Sequence, residues 1–136
     1  MITSDQIRAA RAMLRWEQKL LAQRSGVSLA TIKRIEAQIG YVMANRPTFE
    51  ALLRAFTAGG IVFTNGGVSY RLKRIGDRVI SPKGEIVTVI DVESEPQDEG
   101  DGNPMIQVRF QDRTTRWFPQ FFLPFATLED AKVDEA

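Results

Sequence analysis

Residues 24–36 read Arg-Ser-Gly-Val-Ser-Leu-Ala-Thr-Ile-Lys-Arg-Ile-Glu, RSGVSLATIKRIE. Glycine takes the left-handed backbone that ends a helix without strain, and a serine two residues later is a good N-cap for the next. The stretch therefore predicts a helix, a tight turn at Gly26 and a second helix capped by Ser28. From about Leu29 to Gln38, helical spacing puts Ile32 and Ile35 on one side, so Ala30, Thr31, Lys33 and Arg34 face elsewhere.

Upstream, Thr3, Ser4 and Asp5 offer an N-cap, and Ile7, Ala10 and Leu14 recur at i, i+3 and i+7 of a first amphipathic helix. A short second helix covers about Gln18 to Arg24, with Trp16, Leu21 and Ala22 turned inward. Downstream, a connection runs through Gly40 and Asn45. Pro47 and Thr48 then announce a fourth helix with Phe49, Leu52, Leu53 and Phe56 at i, i+3, i+4 and i+7, ended by Gly59-Gly60. Tyr41, Val42 and Met43 in the connection either cover the core or form a dimer contact, and core packing is preferred. IVFTNGGVSYRL (61–72) follows, two β-rich runs around Asn65-Gly66-Gly67, which is a strong hairpin signal.

Composition narrows the function. The 136 residues include no cysteine and no histidine, which excludes disulfides, thiolate metal sites and cysteine nucleophiles and removes the usual metal ligand and general base. No apolar run is long enough to span a bilayer, and MITSDQIRAARAM lacks the apolar stretch of a secretory signal, so a soluble cytoplasmic protein is expected, with no membrane partner. Net charge +1 conceals a division: residues 1–74 hold twelve Lys/Arg against four Asp/Glu, and residues 75–136 hold six against thirteen. A basic front and an acidic rear point to two modules with different partners.

The pattern Leu14, Gln18, Leu21, Ala22, Gly26, Val27, Ser28, Ile32, Ile35 and Glu36 resembles the lambda-repressor-like, or XRE/Cro-type, helix-turn-helix of bacterial and phage transcription regulators, over about residues 4–58. A major groove about 12 Å wide admits a helix, and the helix's N-terminal residues reach base edges first. The resemblance implies that Ser28, Leu29, Ala30, Thr31, Lys33 and Arg34 face bases, with Arg34 the natural partner of guanine and Leu29 and Ala30 limited to thymine methyls. It also implies that Gln18 caps the second helix near a phosphate; Arg15, Lys19, Asn45 and Arg46, at helix ends or in the loop flanking the reading helix, are further candidates for phosphate contact. Arg11 and Glu36 match a structural ion pair of the family. Glu17 departs from the family's usual serine or threonine and caps poorly, so entry to the second helix relies on Trp16.

From Ile75 the texture changes to strands of four to six residues separated by turn signals, with a solvated acidic loop from Glu93 to Asp101 and an acidic tail in which Leu128 offers a short terminal helix. Ile75-Gly76-Asp77-Arg78-Val79 and VRFQDRTTRWFPQFFLP (108–124) resemble, loosely, small SH3-like or Tudor-like barrels. Trp117, Phe118, Phe121, Phe122 and Phe125 are either barrel core or, in part, a patch for a partner protein or a second copy. Asp77, Glu85, Asp91 and Asp112 form no nucleophile and base pair, so no enzyme, cofactor or metal is expected.

The expected fold is thus α+β: a helix-turn-helix domain of four or five helices with a terminal β-hairpin over 1–74, a small antiparallel β-barrel-like domain over 75–126, and a tail over 127–136. The expected function is a sequence-specific DNA-binding regulator, by default a repressor, that sits on a palindromic operator in double-stranded DNA as a homodimer. The alternatives are a protein-binding adaptor, an anti-activator or an antitoxin-like regulator whose C-terminal domain holds a partner.

Overall fold

The structure is a computed structural model that describes residues 1–93 and 104–126. The readings made for the acidic loop beyond Glu93 and for the tail from 127, with its helix at Leu128, lie outside the described residues. The chain divides into two compact units, Met1–Arg71 and Leu72–Ala136. It is an α+β protein: four N-terminal helices, a β-hairpin, then a four-strand antiparallel sheet.

In the first unit, Thr3 caps α1 (Ser4–Leu14) in a reciprocal box, its hydroxyl accepting from the Gln6 N–H while the Gln6 side chain accepts from the Thr3 N–H. Gln6 then spends its amide protons on the Thr64 and Gly67 carbonyls, both at 2.9 Å, which ties the hairpin of β1 (Ile61–Thr64) and β2 (Gly67–Tyr70) to α1. Tyr70 adds a phenol bond to the Met13 carbonyl. α2 (Gln18–Ser25) and α3 (Leu29–Glu36) meet through Gly26, whose φ of 74° is left-handed and around whose position a Cβ would find open space. The glycine is needed for its backbone angle and not for room. Gly59, behind α4 (Arg46–Ala58), is the opposite case: a Cβ there would come within 2.9 Å of Leu14 and 3.0 Å of Trp16.

The core of this unit is built from the positions the helical spacing selected, with Ile7, Ala10, Leu21, Ile32, Ile35, Leu52 and Phe56 all buried. Each large apolar side chain there contributes about 1.5–3 kcal/mol through removal from water. Glu17 makes no side-chain cap bond, while Trp16 is buried and stacked on Phe56 at 5.9 Å, so packing sets the entry to α2. Two expectations are corrected. α3 stops at Glu36, short of Gln38, and of Tyr41, Val42 and Met43 only Val42 is buried. Thr3 forms a bridge with Tyr41, and Val42 donates its N–H to the Ile2 carbonyl, so the connection runs as an extended strand whose alternate side chains must point outward.

The second unit is a sheet in the order β3 (Arg78–Ile80), β4 (Ile86–Val92), β5 (Met105–Arg109), β6 (Thr115–Pro119). Valine and isoleucine alternate along the strands, and Val79, Val87, Val89, Ile106 and Val108 form its buried face. A register shift between Val89 and Asp91 resets the alternation so that Val89 faces Val108 and Val92 faces Ile106. The expected barrel does not form: β3 and β6 do not pair. Instead the chain after β6 returns to β3, where Ile80 donates to the Pro124 carbonyl, Ala126 donates to the Arg78 carbonyl and Phe125 bridges Val79. This return, and not β6, occupies the outer edge of β3, so it covers the edge without closing the sheet.

Candidate nucleic-acid interface

The exposed face of α3 begins at its cap. Ser28 accepts the Thr31 N–H at 3.2 Å and donates to the Thr31 hydroxyl at 2.8 Å, which locks the first turn and ties the two hydroxyls together. Ala30, Lys33 and Arg34 are exposed, Thr31 and Leu29 are half-buried, and neither Lys33 nor Arg34 forms an ion pair among the described residues. Leu29 therefore divides its surface between the body of the unit and solvent. The buried face, Ile32 with Ile35, fixes the helix so that the two cations point away from the core.

Behind α3 stands the Arg11–Glu36 pair. The Arg11 Nη2 lies 2.9 Å from Glu36 Oε1, the Nε reaches both carboxylate oxygens at 3.1–3.2 Å, and Nη1 donates to the Trp16 carbonyl at 2.9 Å. The Glu36 side chain is 4% exposed. One guanidinium thus joins the last turn of α1, the entry to α2 and the end of α3, which sets the angle at which α3 is held out. Arg8, which the sequence reading passed over, donates to the Glu36 carbonyl and pairs with Asp5. Its signal was weak: an exposed arginine one turn from the start of a helix looks like ordinary solvated surface.

The flanking positions scatter by role. Arg15 takes a left-handed φ of 57° at the C-cap of α1 and is exposed, as is Lys19 on α2. Gln18 is the half-buried first residue of α2, with Glu17 and not Gln18 in the cap position. Asn45 caps α4, its Oδ1 accepting the Thr48 N–H at 2.9 Å, so one side of its amide already serves the fold. Arg46 pairs with Glu50 one turn on, at 3.0 Å and almost wholly in solvent, where such a pair is worth little and yields readily to a phosphate. Arg15, Lys19, Lys33, Arg34 and Arg46 are the exposed cations among these positions, with the exposed Glu17 and Glu50 as acidic exceptions.

The five C-terminal aromatics separate. Phe118 and Phe125 are buried, whereas Trp117, Phe121 and Phe122 are 45%, 41% and 61% exposed. Phe122 stacks on Phe118 at 6.0 Å, Arg116 lies 5.4 Å from the centre of that ring, and Lys73 lies 4.8 Å from the centre of the Phe125 ring. Strand alternation separates Trp117 from Phe118, which point to opposite faces of β6, whereas Phe121, Phe122 and Phe125 lie beyond that strand. Among the described residues no cluster of carboxylates is grouped as a metal site, and no helix is long and apolar enough to cross a membrane. No protein-family model, no curated protein and no solved structure matches the chain.

Proposed function

We propose that the first unit is a DNA-reading domain of the lambda-repressor-like, XRE/Cro-type helix-turn-helix kind, and that the protein is a cytoplasmic transcription regulator, by default a repressor, which occupies a palindromic operator as a dimer. The observation that carries this reading is α3 itself. It is a short helix with a capped N-terminus and, on its outer face, two cations that form no ion pair among the described residues, and its inner face is clamped through Glu36 to the unit's first helix. Such a helix fits a major groove, and the surrounding arginines and lysines fit the phosphates on either side.

In this reading Ser28, Leu29, Ala30, Thr31, Lys33 and Arg34 face the bases. Arg34 carries most of the polar discrimination through a guanine edge, worth about 1–3 kcal/mol against a wrong base. Ser28 and Thr31, already bonded to each other, contribute less. Arg15, Gln18, Lys19, Asn45 and Arg46 lie along the backbone, and their effect is on affinity and salt dependence.

The test is selection of bound sequences from a pool of random duplexes with the full chain, at two salt concentrations, beside Arg34→Ala. Enrichment of a palindrome that Arg34→Ala no longer selects is the expected result. Loss of Lys19 or Arg46 would instead weaken all sequences alike and flatten the salt dependence. Binding without an enriched site, or none, overturns the reading in favour of an adaptor that keeps the fold and has lost DNA.

A further inference from the structure

The sheet of the second unit treats its two edges differently. The outer edge of β3 is covered by the returning segment 124–126, whereas no described residue pairs with the outer edge of β6. An uncovered edge strand is a template for another strand. Which groups it offers follows from the bonds on its inner side. Gln120 donates to the Pro104 carbonyl and Phe110 to the Thr114 carbonyl, and both pairs belong to the register that sets Phe118 against Ile106 and Arg116 against Val108. In an antiparallel pair hydrogen-bonded positions alternate, so Arg116 and Phe118 are tied to β5 and the N–H and carbonyl groups of Thr115 and Trp117 face outward. Pro119, the next outward position, has a carbonyl to offer and no N–H.

We propose that this edge is where two copies of the chain join, β6 against β6 in antiparallel fashion about a two-fold axis at Trp117. The pairing would supply the dimer of the proposed function, but it stands on the sheet alone. With the axis at Trp117, the two Trp117 residues exchange N–H and carbonyl bonds. Each Thr115 N–H then meets the Pro119 carbonyl of the second copy, and because proline has no N–H the return bond to the Thr115 carbonyl is absent, so the ladder is complete only at Trp117. Arg116 comes opposite Phe118 of the second copy, the ring type it already covers within its own chain at 5.4 Å.

The neighbouring registers are worse. An axis at Arg116 sets two guanidiniums face to face, and like charges directly opposite one another are unfavourable. An axis at Phe118 leaves the Thr115 N–H without a strand carbonyl. A second copy sets a further ring opposite Arg116 and shields the half-exposed Trp117 indole with its like.

The test is sedimentation of the full chain over a range of micromolar concentrations, without DNA. The wild type is expected to associate to a dimer. Trp117→Lys, which sets two ammonium groups across the axis, is expected to weaken association at least roughly tenfold. Thr115→Pro removes an outward N–H and spares the backbone bonds to β5, losing there only the exposed Gln107 side-chain bond to the Thr115 hydroxyl at 3.2 Å; it should weaken association, with Thr115→Val, which loses the same hydroxyl and keeps the N–H, associating as the wild type does. Because the chain has no native cysteine, Trp117→Cys reports the axis directly. Facing Cα atoms in such a pair lie about 5.5 Å apart, within the span a disulfide accepts. Mild oxidation should link Trp117→Cys much faster than Arg113→Cys in the adjoining turn. A monomeric wild type, a Trp117→Lys variant that still dimerises, or equal rates of linkage overturns the proposal. Each of these outcomes leaves operator selection through Arg34 to be judged by its own experiment.

Discussion

Each unit of this protein fastens distant parts of its chain with a buried polar clamp, and the two clamps differ in kind. In the helical unit Arg11 reaches Glu36, and the attraction is between full charges held close to the core. In the sheet unit Gln120, which is buried, uses its amide as if it were a strand: Oε1 accepts the Lys73 N–H at 2.7 Å and Nε2 donates to the Lys73 carbonyl at 3.3 Å. The Lys73 ammonium in turn donates to the Gln120 backbone carbonyl. A charge clamp fixes the direction in which a helix is presented, whereas an amide clamp offers a segment outside the sheet the donor and acceptor that a strand would. The first serves the surface proposed to read DNA, and the second closes the end of a sheet.

The sharpest way to break the comparison is Arg11→Ala. It leaves the Glu36 carboxylate buried with no cation, and removing one partner of a buried pair costs about 3–5 kcal/mol. Chemical denaturation followed by hydrogen exchange in each unit should show that loss in residues 1–71 and leave the sheet unchanged. Arg11→Ala with Glu36→Ala should cost less than the two single changes added together, because the second removes the orphaned charge left by the first. A cost below that of an exposed pair would mean that apolar packing alone orients α3.

Gln120→Ala is the matching change in the other unit. It strands the Lys73 N–H and carbonyl without their partners, at about 1–3 kcal/mol, and the same exchange measurement should place the loss in the sheet. Its effect should be smaller than that of Arg11→Ala because no full charge is orphaned. Equal protection of the Lys73 amide in both proteins would show that the Gln120 side chain is not its partner in solution.

The two clamps were unequally visible in the sequence, and the reason is physical. Helical periodicity and capping are local, so four helices, the turn at Gly26, the hairpin at Asn65-Gly66 and the inward Ile32 and Ile35 could all be read from neighbouring residues. Arg11–Glu36 spans 25 residues and came only with a family resemblance, not from spacing. Gln120 meeting Lys73 spans 47 residues and carries no local mark, since a glutamine after a proline reads as surface. The open sheet was missed for a similar reason. Strand lengths and turns are local, but whether the last segment closes a barrel or merely caps β3 depends on pairing across the whole unit. The split between Trp117 and Phe118 follows from alternation once β6 has a register, and that register comes from β5, while the burial of Phe125 depends on its bridge to Val79.

The smallest expected effect lies at the β5–β6 turn, next to the proposed edge. Asp112 accepts the Thr114 hydroxyl at 2.6 Å and the Thr114 N–H at 2.9 Å, and the hydroxyl first, then the amide, hold its carboxyl below the usual carboxylate range. A folded-state pKa that is depressed means that the ionised form is favoured by folding. The contribution is therefore present above the unfolded-state value and fades as pH falls through the folded one. The group is fully in solvent, so the effect on the sheet is slight. Asp112→Asn keeps an oxygen acceptor for Thr114 but removes the charge. It should lower the sheet's denaturation midpoint a little at neutral pH, less than Gln120→Ala does, and the gap from wild type should narrow as the solution is acidified. A gap that widens in acid would reverse the sign of the linkage and place the stabilising charge elsewhere in the turn, with Arg113 at its left-handed φ of 68° the first group to examine.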